Sequence, residues 1–126
     1  MAHLFVYGSL TRPTTLDAVL GHRHLGERFR ARLPGWERRA VRDFEYPVVV
    51  PSAGGVVDGI LVFDLSDEDL ACLDQYEDLA TGEYVRQEAI VEAEGCGPAV
   101  ARLPAFVYAA GPALAPRLEP GSQRRL

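Results

Sequence analysis

The stretch VVDGILVFDL, residues 56–65, is the most apolar strand-like run in the chain, and it carries a glycine, Gly59, at its middle. A glycine inside a strand marks a bulge or a place where another backbone passes close by. Other segments share the extended pattern. Residues 3–7 form a short apolar strand, and Arg28 to Leu33 (RFRARL) alternates polar with apolar, as a half-buried strand does. Pro34-Gly35 predicts a turn, WERRAVRDF a weaker strand, and Tyr46 to Pro51 a short extended run closed by Ser52-Ala53-Gly54-Gly55. Tyr84 to Ala93 and Ala99 to Ala109 read as two more strands, joined by a turn over residues 94–98. One helix is expected over residues 14–20, capped by Thr14 or Thr15. A second opens at Ser66, where Ser66 and Asp69 have capping-box spacing and Asp67, Glu68 and Asp69 suit the positive end of the helix dipole. The pattern predicts an α+β fold: a small, mostly antiparallel β-barrel or curled sheet flanked by two or more short helices. Residues 1–110 form one domain, and the Pro-, Gly- and Arg-rich tail over 111–126 is expected to be poorly ordered.

Counting narrows the function classes. A chain of 126 residues suits a single core. The net charge of -5 and the lack of any basic run longer than two residues argue against nucleic acid as a partner. All 13 basic residues are arginine, which excludes a lysine Schiff base and a phosphate-loop lysine. Cys72 and Cys96 suit a reduced protein better than one with a single bridge. His3, His22 and His24 lack partners at metal-ligand spacing, so no metal is expected, and His22 and His24 read as loop residues. No stretch approaches the ~18 apolar residues of a membrane span, and the chain enters its first strand without a charged leader. A cytoplasmic protein is the expectation, while the sequence does not specify an oligomeric state.

The second helix carries the chemistry. Leu70 and Leu73 define its buried stripe, and Glu77, seven residues after Leu70, lies within about 20° of it around the axis. Two readings follow. Either the helix has ended by then and Glu77 points to water, or a desolvated carboxylate of raised pKa is poised as acid or base. Asp74 and Asp78 fall off the stripe or past the helix end and are expected to be solvated. At the mouth of the first strand, VYGSL reads on its own as a strand-to-loop turn. Ser9 does not fit a hydrolase nucleophile, because its flanks are not G-x-S-x-G and no partnered histidine is evident. Tyr84 and Arg86 share one face of their strand under period-two alternation.

YGSL, then Tyr46-Pro47, then Gly59 in GILVFDL, then LDQYEDLATGEYVR and a late Val107-Tyr108 occur in an order that resembles the gamma-glutamylcyclotransferase-like family, from Leu4 to Tyr108. The resemblance implies a small β-barrel flanked by helices and a cofactor-independent reaction. In it the α-amine of a γ-glutamyl group attacks its own γ-carbonyl and releases 5-oxoproline with an amine or amino acid. By similarity, Tyr7, Gly8, Ser9 and Leu10 line the substrate cavity, with backbone N–H groups holding the substrate α-carboxylate. Glu77 matches the family's catalytic glutamate. Arg86 would pair with the substrate's carboxylate or with a neighbouring acid, and Tyr46 or Tyr108 would donate a hydrogen bond. The segment DLATGEY and the tail depart from better-known members, which leaves several γ-glutamyl compounds open as substrates. A non-catalytic small-molecule binding or regulatory module on the same fold is the alternative.

Overall fold

In the computed structural model, residues 1–42, 47–95 and 100–118 are described. Their strands are β1 (Ala2–Val6), β2 (Arg28–Arg39), β3 (Val48–Leu65), β4 (Tyr84–Ala93) and β5 (Ala101–Ala110). Two α-helices join them, α1 (Pro13–Leu20) and α2 (Asp67–Tyr76), with short 3-10 segments at Ser9–Thr11, Leu79–Thr81 and Pro112–Arg117. The strands pair in the order β1-β3-β2-β4-β5 and β5 returns to β1, so the sheet closes into a ring. Only the β1–β5 pairing is parallel among the described residues.

Alternation along the strands sorts the apolar residues into two layers. Phe5, Leu33, Trp36, Val57, Leu61, Val91 and Val107 come from all five strands and fill the interior of the ring. Their sequence neighbours Leu4, Val6, Val62 and Tyr108 face outward and are covered by Leu16 and Leu20 of α1 and Leu70 and Leu73 of α2. The period of two therefore makes β1, β3 and β5 apolar on both faces, one for the ring and one for the helices, while β2 turns Arg28, Arg30 and Arg32 outward.

Two expected turns proved to be bulges. Pro34-Gly35 does not end its strand: β2 runs unbroken to Arg39, and its pairing with β3 jumps from Pro34↔Val56 to Trp36↔Pro51. Ser52-Ala53-Gly54-Gly55 is the extra length on the other side, inside an 18-residue β3. Gly35 (φ 86°) and Gly54 (φ 80°) take left-handed conformations, and a side chain on Gly55 would meet the Trp36 carbonyl. Glycines that signal a turn locally here let two long strands bulge and stay paired.

Helix α1 begins with Pro13 at its first turn and Arg12 as N-cap, so neither Thr14 nor Thr15 caps it. The capping box of α2 forms as expected: Asp69 N donates to Ser66 Oγ at 3.0 Å and Ser66 N donates to Asp69 Oδ2 at 3.1 Å. The other oxygen of Asp69 holds the ring of His22, Nε2 to Oδ1 at 2.7 Å. His24 is buried, with its Nε2 at 2.7 Å from the Phe63 carbonyl oxygen. Both loop histidines thus anchor the link between α1 and β2. The tail does not loosen at residue 111: Leu114 is buried with Val41 and Val48, and Gly111 N donates to the Glu83 carbonyl at 2.8 Å. Residues 119–126 and Cys96 lie outside the described residues. Cys72 is a free thiol. No helix among the described residues is long and apolar enough to cross a membrane.

Gly59 pairs with Ala31 in an uninterrupted stretch of ladder, so it marks close approach and no bulge. A Cβ there would meet the Val6 carbonyl oxygen and lie 2.6 Å from Phe5 Cζ. Gly59→Ala should destabilise the fold by about 1–3 kcal/mol through overpacking against β1. Chemical denaturation of the variant beside the parent checks this, and an unchanged midpoint would refute the close contact.

Candidate active site

Where β1 runs out, the chain enters a tight turn. Thr11 N and Thr11 Oγ1 both donate to the Gly8 carbonyl, at 3.0 and 2.7 Å, and Arg12 N donates to the Ser9 carbonyl at 3.2 Å. Leu10 is buried under the helices and pins the turn in place. The N–H groups of Gly8, Ser9 and Leu10 donate to no described residue. A Cβ on Gly8 would meet nothing within 4 Å. The fold itself has room for a side chain at Gly8, and the space it would enter belongs to a cavity.

That cavity, of about 340 Å³, is bounded by Phe5 to Leu10, by Pro47, by Tyr76 and Glu77 at the end of α2, by Tyr84 at the start of β4 and by Tyr108 of β5. Glu77 is the one charged side chain among these lining residues. Helix α2 ends at Tyr76, yet Glu77 keeps a right-handed helical conformation (φ -81°, ψ -5°) and its N–H still donates to the Leu73 carbonyl at 2.9 Å. The chain departs only at Asp78, which is left-handed at φ 57°. The helix stops where the first reading placed its end, but Glu77 remains half-buried against the cavity. Burial pushes its carboxyl from the ordinary 4.5 up to about 7.

The tyrosines around Glu77 are tied to the framework. Tyr7 Oη donates to the Tyr108 carbonyl at 2.6 Å, and Tyr108 Oη donates to Asp74 Oδ1 at 2.6 Å. Ser9 Oγ and Tyr76 Oη lie 3.1 Å apart, linking the turn to the end of α2. Burial raises the phenols of Tyr7 and Tyr108 above the usual range. Tyr84 is pushed up to about 12, first by burial and then by the charge of Glu77. Its hydroxyl has no hydrogen-bond partner among the described residues.

The structure thus brings Tyr7, Gly8, Ser9, Leu10, Glu77 and Tyr108 to one cavity. Arg86 does not line it. Its Nε pairs with Asp74 Oδ1 at 3.0 Å and its guanidinium lies 4.7 Å from the centroid of the Phe106 ring, so its carboxylate partner is the neighbouring acid. Asp74, expected in water, forms an ion pair with Arg86 and accepts a hydrogen bond from Tyr108. Tyr108 accordingly spends its proton on Asp74. Tyr46 lies outside the described residues, although the adjacent Pro47 lines the cavity. Sequence reasoning missed Tyr76 and Tyr84 as lining residues. The signal available was that Tyr76 immediately precedes Glu77 and that Tyr84 follows it by seven residues at the head of a strand.

Comparison with known proteins identifies the family and the fold. The model of the family described as gamma-glutamyl cyclotransferase, AIG2-like matches residues 4–124. AIG2-like protein D of Arabidopsis thaliana is 31% identical over 91 residues, covering 72% of this chain and 57% of the relative. The chain spans about half the length of the curated relatives it matches. A crystal structure of an AIG2-like protein from Mus musculus superposes with a TM-score of 0.64 at 28% identity, covering 90% of this chain and 82% of that one. A structure of a gamma-glutamyl cyclotransferase shares the fold at a TM-score of 0.72 and 17% identity, covering 94% of this chain and 68% of that one. With nearly the whole chain matched and the fold shared, this protein belongs to the gamma-glutamyl cyclotransferase, AIG2-like family.

Proposed function

We propose that this cavity cyclises a γ-glutamyl amide, releasing 5-oxoproline and an amine, with Glu77 as the general base and acid. The observation that carries the reading is the pairing, in one cavity, of a half-buried glutamate titrating near neutrality with a turn whose amides at Gly8, Ser9 and Leu10 have no described partner. A γ-glutamyl group has an anionic α-carboxylate for such amides and an α-amine that attacks in its neutral form and gives up one further proton as it becomes the lactam nitrogen. Glu77 takes the amine's proton as nitrogen bonds to the γ-carbon. The carbonyl π pair moves onto oxygen and returns as the bond to the leaving nitrogen breaks, and Glu77 hands its proton to that nitrogen. Proton and electron pairs balance within substrate and protein. Closure of a five-membered ring within one molecule already has the advantage of proximity, so one positioned carboxyl suffices for proton transfer.

Incubating the protein with a panel of γ-glutamyl amides and detecting 5-oxoproline by mass spectrometry tests the reading. No product from any of them would leave a binding or regulatory module as the alternative. Glu77→Gln keeps shape but accepts no proton, and should lower turnover by about 10²–10⁴-fold.

The pH dependence follows from the same raised pKa. The base is the carboxylate, so activity should rise with pH through about 7 and then level off. For stability the sign is opposite. Folded Glu77 holds a proton that the unfolded chain releases near 4.5, so this group's contribution is lost as pH climbs from 4.5 to about 7. Glu77→Gln lacks that loss, and its thermal midpoint should exceed the parent's at pH 8 but not at pH 4.

Two substitutions in the turn separate backbone from side-chain recognition. Gly8→Val places its branches in the cavity and clashes with no described atom at Cβ, so it should fold normally yet raise KM by tenfold or more, as roughly 1.4 kcal/mol of lost binding requires. Ser9→Ala removes only a half-exposed link to Tyr76 and should cost far less. Abolition of turnover by Ser9→Ala with binding intact would assign the hydroxyl a chemical role instead.

A further inference from the structure

Four tyrosines line the cavity, and each phenol has one proton to give. That of Tyr7 goes to the Tyr108 carbonyl and that of Tyr108 to Asp74, whose same oxygen Arg86 also holds. Tyr76 is exposed and its hydroxyl meets Ser9 at 3.1 Å. Tyr84 alone among the four keeps a hydroxyl without a partner among the described residues.

The backbone under Tyr84 is fixed on both sides. Residues 79–81 form a 3-10 turn and Gly82 is left-handed at φ 79°, which folds the seven-residue step from Glu77 back onto the cavity. Tyr84 then opens β4 opposite Ala110, while the preceding Glu83 carbonyl accepts from Gly111 N at 2.8 Å. Its ring packs where the helix layer meets the cluster of Val41, Val48 and Leu114. A phenol on such a platform needs little reorganisation to donate toward bound substrate.

Cyclisation makes one demand that the groups assigned so far leave open. Glu77 attends to the two nitrogens and the amides of Gly8, Ser9 and Leu10 attend to the α-carboxylate, yet the γ-carbonyl oxygen gains negative charge and requires a donor. We propose that the Tyr84 hydroxyl is the hydrogen-bond donor to the γ-carbonyl oxygen, holding it as charge develops there. The inference rests on the γ-glutamyl reading of the cavity. The proton stays on Tyr84 throughout, as its pKa of about 12 requires at neutral pH.

Tyr84→Phe tests the assignment in two arms. In turnover, kcat should fall about 10²-fold with KM within a few-fold, the scale of losing one oxyanion donor. The thermal midpoint should not drop, because the hydroxyl removed bonds to no described residue. In calorimetry with 5-oxoproline, whose ring oxygen is the former γ-carbonyl oxygen, affinity should weaken roughly 3–10-fold, the range for one neutral hydrogen bond. If wild-type protein forms no 5-oxoproline from any γ-glutamyl amide, the reaction falls while the lactam arm still decides Tyr84. Retained kcat, unchanged lactam affinity, no lactam binding by the wild type, or a kcat loss that comes with a lowered midpoint would each overturn the assignment.

Discussion

Closure of the sheet depends on β1, a strand of five residues that pairs antiparallel with β3 on one side and parallel with β5 on the other. Without it, β3 and β5 would each expose an edge, and the interior layer of Phe5, Leu61 and Val107 would open to water. Parallel pairing at this one seam is feasible because both faces are covered, by the ring interior and by the helices. The seam also fixes the site. The cavity turn is the direct continuation of β1, Tyr7 reaches across to the Tyr108 carbonyl on β5, and Phe5 lies over Gly59 of β3. Fold and pocket thus share one short strand.

Features set by local chemistry were legible in the sequence. The Ser66–Asp69 box and the alternation of β2 over Arg28 to Leu33 each follow from residues a few positions apart, whereas Gly59 signalled either a bulge or a close approach and only Phe5 and Val6 of β1 decide which. Features set by pairing across the chain were not. Pro34-Gly35 and Gly54-Gly55 have turn chemistry, and only the partner strand decides that they bulge and continue. Glu77 shows both cases at once. Its angular position beside Leu70 could be computed from the helix, but whether it met water depended on β1, β4 and β5 closing around it. Asp74 was misplaced for the same reason, since its partners lie 12 and 34 residues away.

Charge is distributed so that the carboxylates on either side of the wall behave differently. Asp74 sits behind it with Arg86 and Tyr108 as partners, whereas Glu77, three residues later, faces the cavity with no arginine lining it. One turn of helix separates a carboxylate satisfied by a cation from one left to desolvation. The arginine that the sequence alone would assign to substrate instead secures the wall, and under the proposed function an anion would be met by backbone amides, which carry no net charge to offset Glu77.

The segment Pro112–Arg117 is joined to the step between Glu77 and Tyr84 by Gly111 N to Glu83 O, Ala113 N to Gly82 O and the Arg117–Glu83 ion pair at 3.6 Å. No residue of that segment lines the cavity. Divergence among homologues can therefore accumulate in a stretch that never touches ligand and still reshape the pocket through the loop it braces. A change in the brace alone can thus alter the shape of the pocket while every lining residue stays the same.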